Sequence, residues 1–231
     1  MELIDCLMKA GFTKHESILY ITLCREGELT GYEASKISGI NRSNAYLALA
    51  GLVEKGGVYR IEGEAVKYQA VLPQELSANL RRDYNLICDH IETNSPVRAL
   101  PSNGYITISG RANIINKMKN IVLSAKKRIY VSMAEVEASL IFEELTDAVE
   151  RGLKVVVISG SKFSMKDALV YKSIKSPGQI RIIADSSHVL TGCMSGESTC
   201  LYSKNLNLVE LIKDSLTNEI KLLEMGNIEK T

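Results

Sequence analysis

Leu29-Thr30-Gly31-Tyr32-Glu33-Ala34-Ser35-Lys36-Ile37-Ser38-Gly39-Ile40-Asn41-Arg42-Ser43-Asn44-Ala45-Tyr46, followed by Leu49, Leu52 and Glu54-Lys55-Gly56-Gly57-Val58, decides the architecture of this 231-residue chain. Thr30 with Glu33 three residues on is a capping box, in which hydroxyl and carboxylate satisfy free backbone N–H groups at a helix start. Gly39 ends that helix, and Asn41 carries the side-chain acceptor that opens the next. Tyr46, Leu49, Leu52 and Val53 recur at helical spacing until Gly56-Gly57. Two short helices joined by a glycine-containing turn, the second with a polar front, are ordered as in a helix-turn-helix that offers one helix to a DNA major groove.

Outward from this stretch the pattern holds. Upstream, Leu3, Ile4, Leu7 and Met8 make an amphipathic opening helix that Gly11 stops, and Thr13 with Glu16 is a second capping box. The helix it opens carries a buried face of Ile18, Leu19, Ile21, Thr22 and Leu23. Downstream, Val58–Ile61 pairs with Val66–Gln69 across Glu62-Gly63-Glu64-Ala65, a hairpin that forms the wing.

Pro73 suits a first helical position, where its missing N–H costs nothing. Leu76, Leu80, Tyr84, Ile87 and Ile91 follow at spacings of four, four, three and four, one apolar seam. Such a seam packs on its own domain or pairs with its twin in a homodimer, and between two domains the second use is expected. Thr93 to Gly104, with two prolines and several Ser, Asn and Gly residues, then reads as a linker. Beyond it strands and helices alternate: strands at 105–109, 128–132, 154–159, 180–184, 188–194 and 199–203, helices at 111–125, 136–151, 164–172 and 205–223. That is an α/β domain on a mixed sheet.

Composition excludes several classes. Hydrophobic content of 45%, charged content of 24% and a formal net charge of +1 are those of an ordinary globular protein. Any cationic footprint is therefore local. Residues 1–72 hold eight Lys/Arg against nine Asp/Glu, yet Lys36, Arg42, Lys55 and Arg60 face only Glu54 across residues 36–60. The five cysteines form no CxxC, which predicts reduced thiols and no disulfide framework. Cys88 and His90 on one helix cannot complete a four-ligand metal site, and no cofactor is implied. The acidic start Met1-Glu2-Leu3-Ile4-Asp5 lacks a signal-peptide run, and no apolar stretch reaches a membrane span. A cytoplasmic chain that does not engage membranes is expected.

With this order in view, the chain resembles the TrmB family of transcriptional regulators. The resemblance rests on Leu7…Gly11-Phe12-Thr13-Lys14-His15-Glu16…Leu19-Tyr20, on Gly39 through Tyr46, on Leu52…Glu54-Lys55-Gly56, and on Val66 through Pro73. The second half resembles the phospholipase D-like domain of that family through Ile108-Ser109-Gly110-Arg111, Ala125 through Ile129 and Glu150 through Ile158. Active members of that superfamily carry a His, a Lys two residues later and an Asp five residues after that. Matched on Asp185, those positions are Gly178 and Ile180; matched on His188, the Lys position is Leu190 and Ser195 stands where the Asp belongs. Either match leaves a phosphodiesterase without its nucleophile and cation, so the domain is expected to be inert. Longer family members add a carboxy-terminal sugar-binding domain; this chain ends soon after Glu219-Ile220-Lys221, so a sugar effector is not implied.

The resulting fold class is α+β: an N-terminal winged helix-turn-helix over 1–72, a linking dimerisation helix and linker over 73–103, and a C-terminal α/β phospholipase D-like domain over 104–231. The expected partner is a double-stranded DNA operator, with a homodimer and a small-molecule effector as further candidates. Arg42 can reach a guanine edge, Asn44 an adenine and Ser43 a phosphate, while Asn41 caps the helix whether or not it meets DNA. Lys36, Lys55, Arg60 and Lys67 are the candidate phosphate contacts. Tyr46, on the Leu49 side, is expected in the core. Leu47, Ala50, Gly51 and Val53 lie where a groove-reading helix carries polar residues, a face that also suits a protein-binding adaptor. Asp185, His188, Ser203 and Asn205 are candidates for a ligand pocket in the second domain, although loop Asp and Asn residues commonly bond their own backbone.

Overall fold

The computed structural model describes residues 2–96 and 104–228, the last three by backbone alone. It divides into two compact units on either side of residues 97–103, so most of the expected linker lies outside the described residues. Thr93 and Asn94, expected in that linker, are still helical.

The first unit runs α1 (Leu3–Lys9), α2 (Lys14–Glu26), β1 (Leu29–Thr30), α3 (Gly31–Ser38), α4 (Arg42–Glu54), β2 (Val58–Ile61), β3 (Lys67–Ala70) and α5 (Pro73–Asn94). Both capping boxes form, Thr13 with Glu16 and Thr30 with Glu33. The α2 face differs from expectation. Leu19, Tyr20 and Leu23 are buried with Glu16 and Ser17, while Ile18, Ile21 and Thr22 are half-buried. The Thr22 hydroxyl bonds the Ile18 carbonyl at 2.9 Å, so it is satisfied within its own helix. The hairpin forms one residue later on its second strand than expected, with Val58 opposite Ala70 and Ile61 opposite Lys67. A third strand joins it: β1 pairs with β3, Leu29 opposite Tyr68. Two residues are too few to leave a periodic signature.

Leu7, Phe12, Leu19, Leu23, Ala45, Leu49, Leu52, Val58, Val71 and Leu76 form this unit's core. Pro73 opens α5 as expected, and the seam begins inside: Leu76 is buried and Leu80 packs against the core. Tyr84, Ile87 and Ile91 are exposed.

The second unit runs β4 (Tyr105–Ser109), α6 (Arg111–Ser124), β5 (Arg128–Met133), α7 (Glu135–Ser139), α8 (Phe142–Glu150), β6 (Lys154–Ser159), β7 (Leu169–Lys172), β8 (Gln179–Ala184), β9 (His188–Cys193), β10 (Thr199–Ser203) and α9 (Leu206–Ile228). Its sheet has the order β4-β10-β9-β8-β5-β6-β7, parallel only from β5 through β7. Alternation along β6 sends Val155 and Val157 to one face, against α6 and α8, and Ile158 to the other, against Val209 and Leu216 of α9.

Two expected helices are corrected. Residues 169–172 are a strand: Leu169-Val170-Tyr171-Lys172 pairs in parallel with Val156–Ser159, and Asp167 stands at φ +60°, outside any right-handed helix. The helix expected over 136–151 is two helices, because Ile141 leaves helical geometry at φ −125° with its side chain fully buried.

Candidate nucleic-acid interface

The front of α4 is built by its cap. Asn41 Oδ1 accepts the Asn44 N–H at 2.9 Å, fixing the first turn. Ala45, Ala48, Leu49 and Leu52 turn to the core, so Asn41, Arg42 and Ser43 stand exposed at the tip and Asn44 is half-buried. The Arg42 guanidinium carbon lies 5.9 Å from the centroid of the Tyr32 ring and 5.8 Å from that of Tyr46. Rings presenting their faces to a cation at this range hold it by quadrupole attraction while leaving its N–H groups available.

Tyr46 is therefore not a core residue; it is 40% exposed. Its ring lies against Gly31 in the first turn of α3, where an added Cβ would come within 2.6 Å of the ring. A missing side chain on the facing helix admits the aromatic ring at the surface. Helical spacing from Leu49 could not disclose this.

Behind the tip is a buried carboxylate. Glu16 is 5% exposed, and its Oε2 receives the Thr13 N–H at 2.6 Å and the Lys55 ammonium at 2.7 Å. Burial pushes its pKa up, but the Lys55 and Thr13 hydrogen bonds outweigh this and hold it below the ordinary carboxylate value. Lys55 also bonds the Gly11 carbonyl at 2.9 Å. It is thus a strut between α4 and the end of α1, which corrects its reading as a free phosphate contact. Gly51 is explained by the same group: a Cβ there would overlap Glu16 Oε1. The Gly51 and Lys55 positions are one helical turn apart, a spacing that could have signalled a shared neighbour.

Lys36 is exposed on α3. On the wing, Arg60 pairs with Glu62 at 3.2 Å and Lys67 with Glu28 at 3.8 Å, all four side chains exposed. Such surface pairs are weak and exchange readily for a phosphate. Leu47 is 70% exposed, while Val53 is half-buried against the core.

In the second unit three of the four candidate pocket residues, Asp185, Ser203 and Asn205, anchor backbone. Asp185, in left-handed geometry at φ +51°, accepts the backbone N–H groups of Lys126, Lys127 and Arg128 at 2.8 to 3.0 Å. Burial raises its pKa, yet these three bonds bring it below the ordinary value. Ser203 donates to the Gly104 carbonyl and accepts from the Asn205 N–H, and Asn205 Oδ1 accepts from Leu208 N–H at the start of α9. Only His188 keeps a side-chain partner of chemical interest, the Tyr202 hydroxyl at 2.7 Å from Nδ1.

Gly178 and Ile180 occupy the positions matched to the catalytic His and Lys. Ile180 is fully buried. Gly178 has φ +81°, and a Cβ on it would lie 2.6 Å from Ser195 Oγ and 2.7 Å from the Ser195 nitrogen. Its N–H donates to Glu137. Among the described residues no His, Cys, Asp and Glu group could hold a metal ion, and no helix is long and apolar enough to cross a membrane.

A winged helix with a capped, exposed α4 tip, followed in the chain by an α/β unit, defines a winged-helix regulator. Residues 7–74 match the family described as sugar-specific transcriptional regulator TrmB, and residues 104–214 match the N-terminal EBD subdomain of transcriptional regulator TrmB. Over 96% of the chain it is 30% identical to the uncharacterized protein YrhO of Bacillus subtilis, spanning 86% of that protein. Over 71% of the chain it is 29% identical to the HTH-type sugar sensing transcriptional regulator TrmBL1 of Pyrococcus furiosus, spanning 48% of that protein. Among solved structures it is similar to the archaeal chromatin protein TrmBL2 (18% identity, TM-score 0.45, 94% of this chain and 96% of that one). It is also similar to the phospholipase D family member Nuc of Salmonella typhimurium (16% identity, TM-score 0.40, 50% of this chain and 92% of that one). The chain belongs to the TrmB family: it is a DNA-binding transcriptional regulator.

Proposed function

We propose that this regulator acts in the cytoplasm as a homodimer whose two α4 helices read an operator through Arg42, Ser43 and Asn44. Lys36, Arg60 and Lys67 supply phosphate contacts. The observation that carries this reading is Arg42, exposed at a capped helix tip and flanked by the Tyr32 and Tyr46 rings. A guanidinium so held loses less freedom on meeting a guanine edge. In gel shifts on a bound duplex, Arg42→Ala should weaken binding about tenfold or more. An unchanged affinity would remove α4 as the reading helix. One observation favours the adaptor reading, the exposed Leu47 side chain; under it the protein would ignore every duplex at low salt.

The dimer reading is supported by α5, which leaves Tyr84, Leu86, Ile87 and Ile91 exposed beyond the point where Leu76 and Leu80 meet the core. In the proposed dimer the half-sites would be spaced about one DNA turn, ~34 Å, apart. The second unit is proposed to be an inert phospholipase D-like module that serves regulation. Its support is steric: a histidine at Gly178 meets both the backbone and side chain of Ser195 in a conformation that L side chains rarely adopt.

A further inference from the structure

At the end of the second unit's sheet, three side chains outside the DNA-contact set come together, Lys117, Tyr202 and His188, and Lys204 lies close by in the chain. The Lys117 ammonium on α6 lies 3.7 Å above the Tyr202 ring centroid. The Tyr202 hydroxyl shares a 2.7 Å hydrogen bond with His188 Nδ1, and among the described residues Nε2 makes no hydrogen bond. Lys204 follows Tyr202 by two residues, one past the end of β10. Burial and then the Lys204 ammonium push down the pKa of both Lys117 and His188, so the three groups feel one another.

Among the described residues the two ammonium groups, of Lys117 and Lys204, are not ion-paired, whereas Lys119, two residues along α6, has its own carboxylate in Glu144 at 2.6 Å. Asp185 acts on His188 from a distance and raises its pKa. Its two oxygens already take three backbone N–H groups. Unpaired ammonium groups beside a buried aromatic floor are mutually repulsive, and the arrangement is relieved by an oxyanion that bridges them.

We infer that Lys117 and His188, which contact Tyr202, together with Lys204 two residues beyond it, bind the phosphate group of a small anionic ligand. Two ammonium groups and a ring N–H suit a doubly charged, three-acceptor group better than a single carboxylate. In the match made on Asp185, the site is also distinct from the phosphodiesterase histidine position, which is Gly178. Gly178 precedes the first residue of β8, while His188 pairs with Ala184, its last. The inference rests on the proposal that the second unit is regulatory.

The test uses the full chain without DNA, titrated with inorganic phosphate, glucose 6-phosphate and glucose while the His188 ring protons are followed by NMR. Phosphate and glucose 6-phosphate should shift them saturably and glucose should not; glucose 6-phosphate binding tighter than phosphate identifies a phosphorylated metabolite as the source. Lys204→Gln, at an exposed position, should weaken binding about fivefold or more, and Lys117→Gln likewise. Lys166→Gln, exposed elsewhere in the unit, should not. No saturable shift, or equal behaviour of the Lys204 and Lys166 variants, overturns the inference. So does Lys204→Gln weakening duplex binding while leaving phosphate binding intact, which would assign the cluster to nucleic acid. None of these failures touches α4, whose test is the Arg42 gel shift.

Discussion

Gly51 has two opposing effects on α4, and their sizes decide its role. Glycine inside a helix costs about 1 kcal/mol relative to alanine. An added methyl at this position would overlap the buried Glu16 carboxylate, and forcing extra volume into a packed site costs about 1–3 kcal/mol. Gly51→Ala should therefore lower stability in urea unfolding despite its better helix propensity; a stabilised variant would mean that Glu16 moves aside freely. Lys55 shares the carboxylate. Because hydrogen bonds hold the Glu16 pKa below its usual value, the stability it contributes is present above the unfolded carboxylate pKa and is lost as pH falls through the folded one. Lys55→Met should thus destabilise near neutral pH and converge on the wild type as acid protonates Glu16 in the folded state. A gap independent of pH would contradict the ion pair. The three-residue spacing from Thr13 to Glu16 discloses the capping box, but not the strut to a lysine 39 residues away; that link is tertiary.

At the scale of elements, local chemistry and tertiary placement divide the outcome. Thr13, Thr30 and Asn41 mark helix starts because caps act within four residues, and each forms as its side chain requires. Leu169–Lys172 escapes such reading. A short apolar run fits strand or helix by periodicity, and pairing with β6 decides it. The break at Ile141 is likewise a core-filling event with no Gly or Pro to announce it. The α5 seam reads correctly in period yet changes role along its length, from core at Leu76 to exposed at Ile91. This yields a separable prediction. The double variant Ile87→Asp with Ile91→Asp should sediment as a monomer at micromolar concentration with its unfolding midpoint nearly unchanged, since both side chains face solvent. Sedimentation as a dimer would move the contact away from α5.

For the whole molecule, a net charge of +1 hides the distribution that matters. The cations proposed to face DNA lie on α3, the α4 tip and the wing, while Lys55 is ion-paired with Glu16. The order of caps and glycines made the winged helix legible, because that fold is specified by short-range signals around one turn. The second unit's chemistry was less legible. Asp185, Ser203 and Asn205 look like a polar site in sequence and prove to be backbone anchors. Lys117 and Tyr202, 85 positions apart, meet only through the packing of α6 on the sheet. The central claim, that paired α4 tips read a duplex, is tested most directly by selecting bound fragments from a random DNA pool with the full chain. Two inverted half-sites with centres about 10 base pairs apart, lost with Arg42→Ala, are the predicted result. Recovery of no preferred sequence, or of one that Arg42→Ala binds equally well, would contradict it.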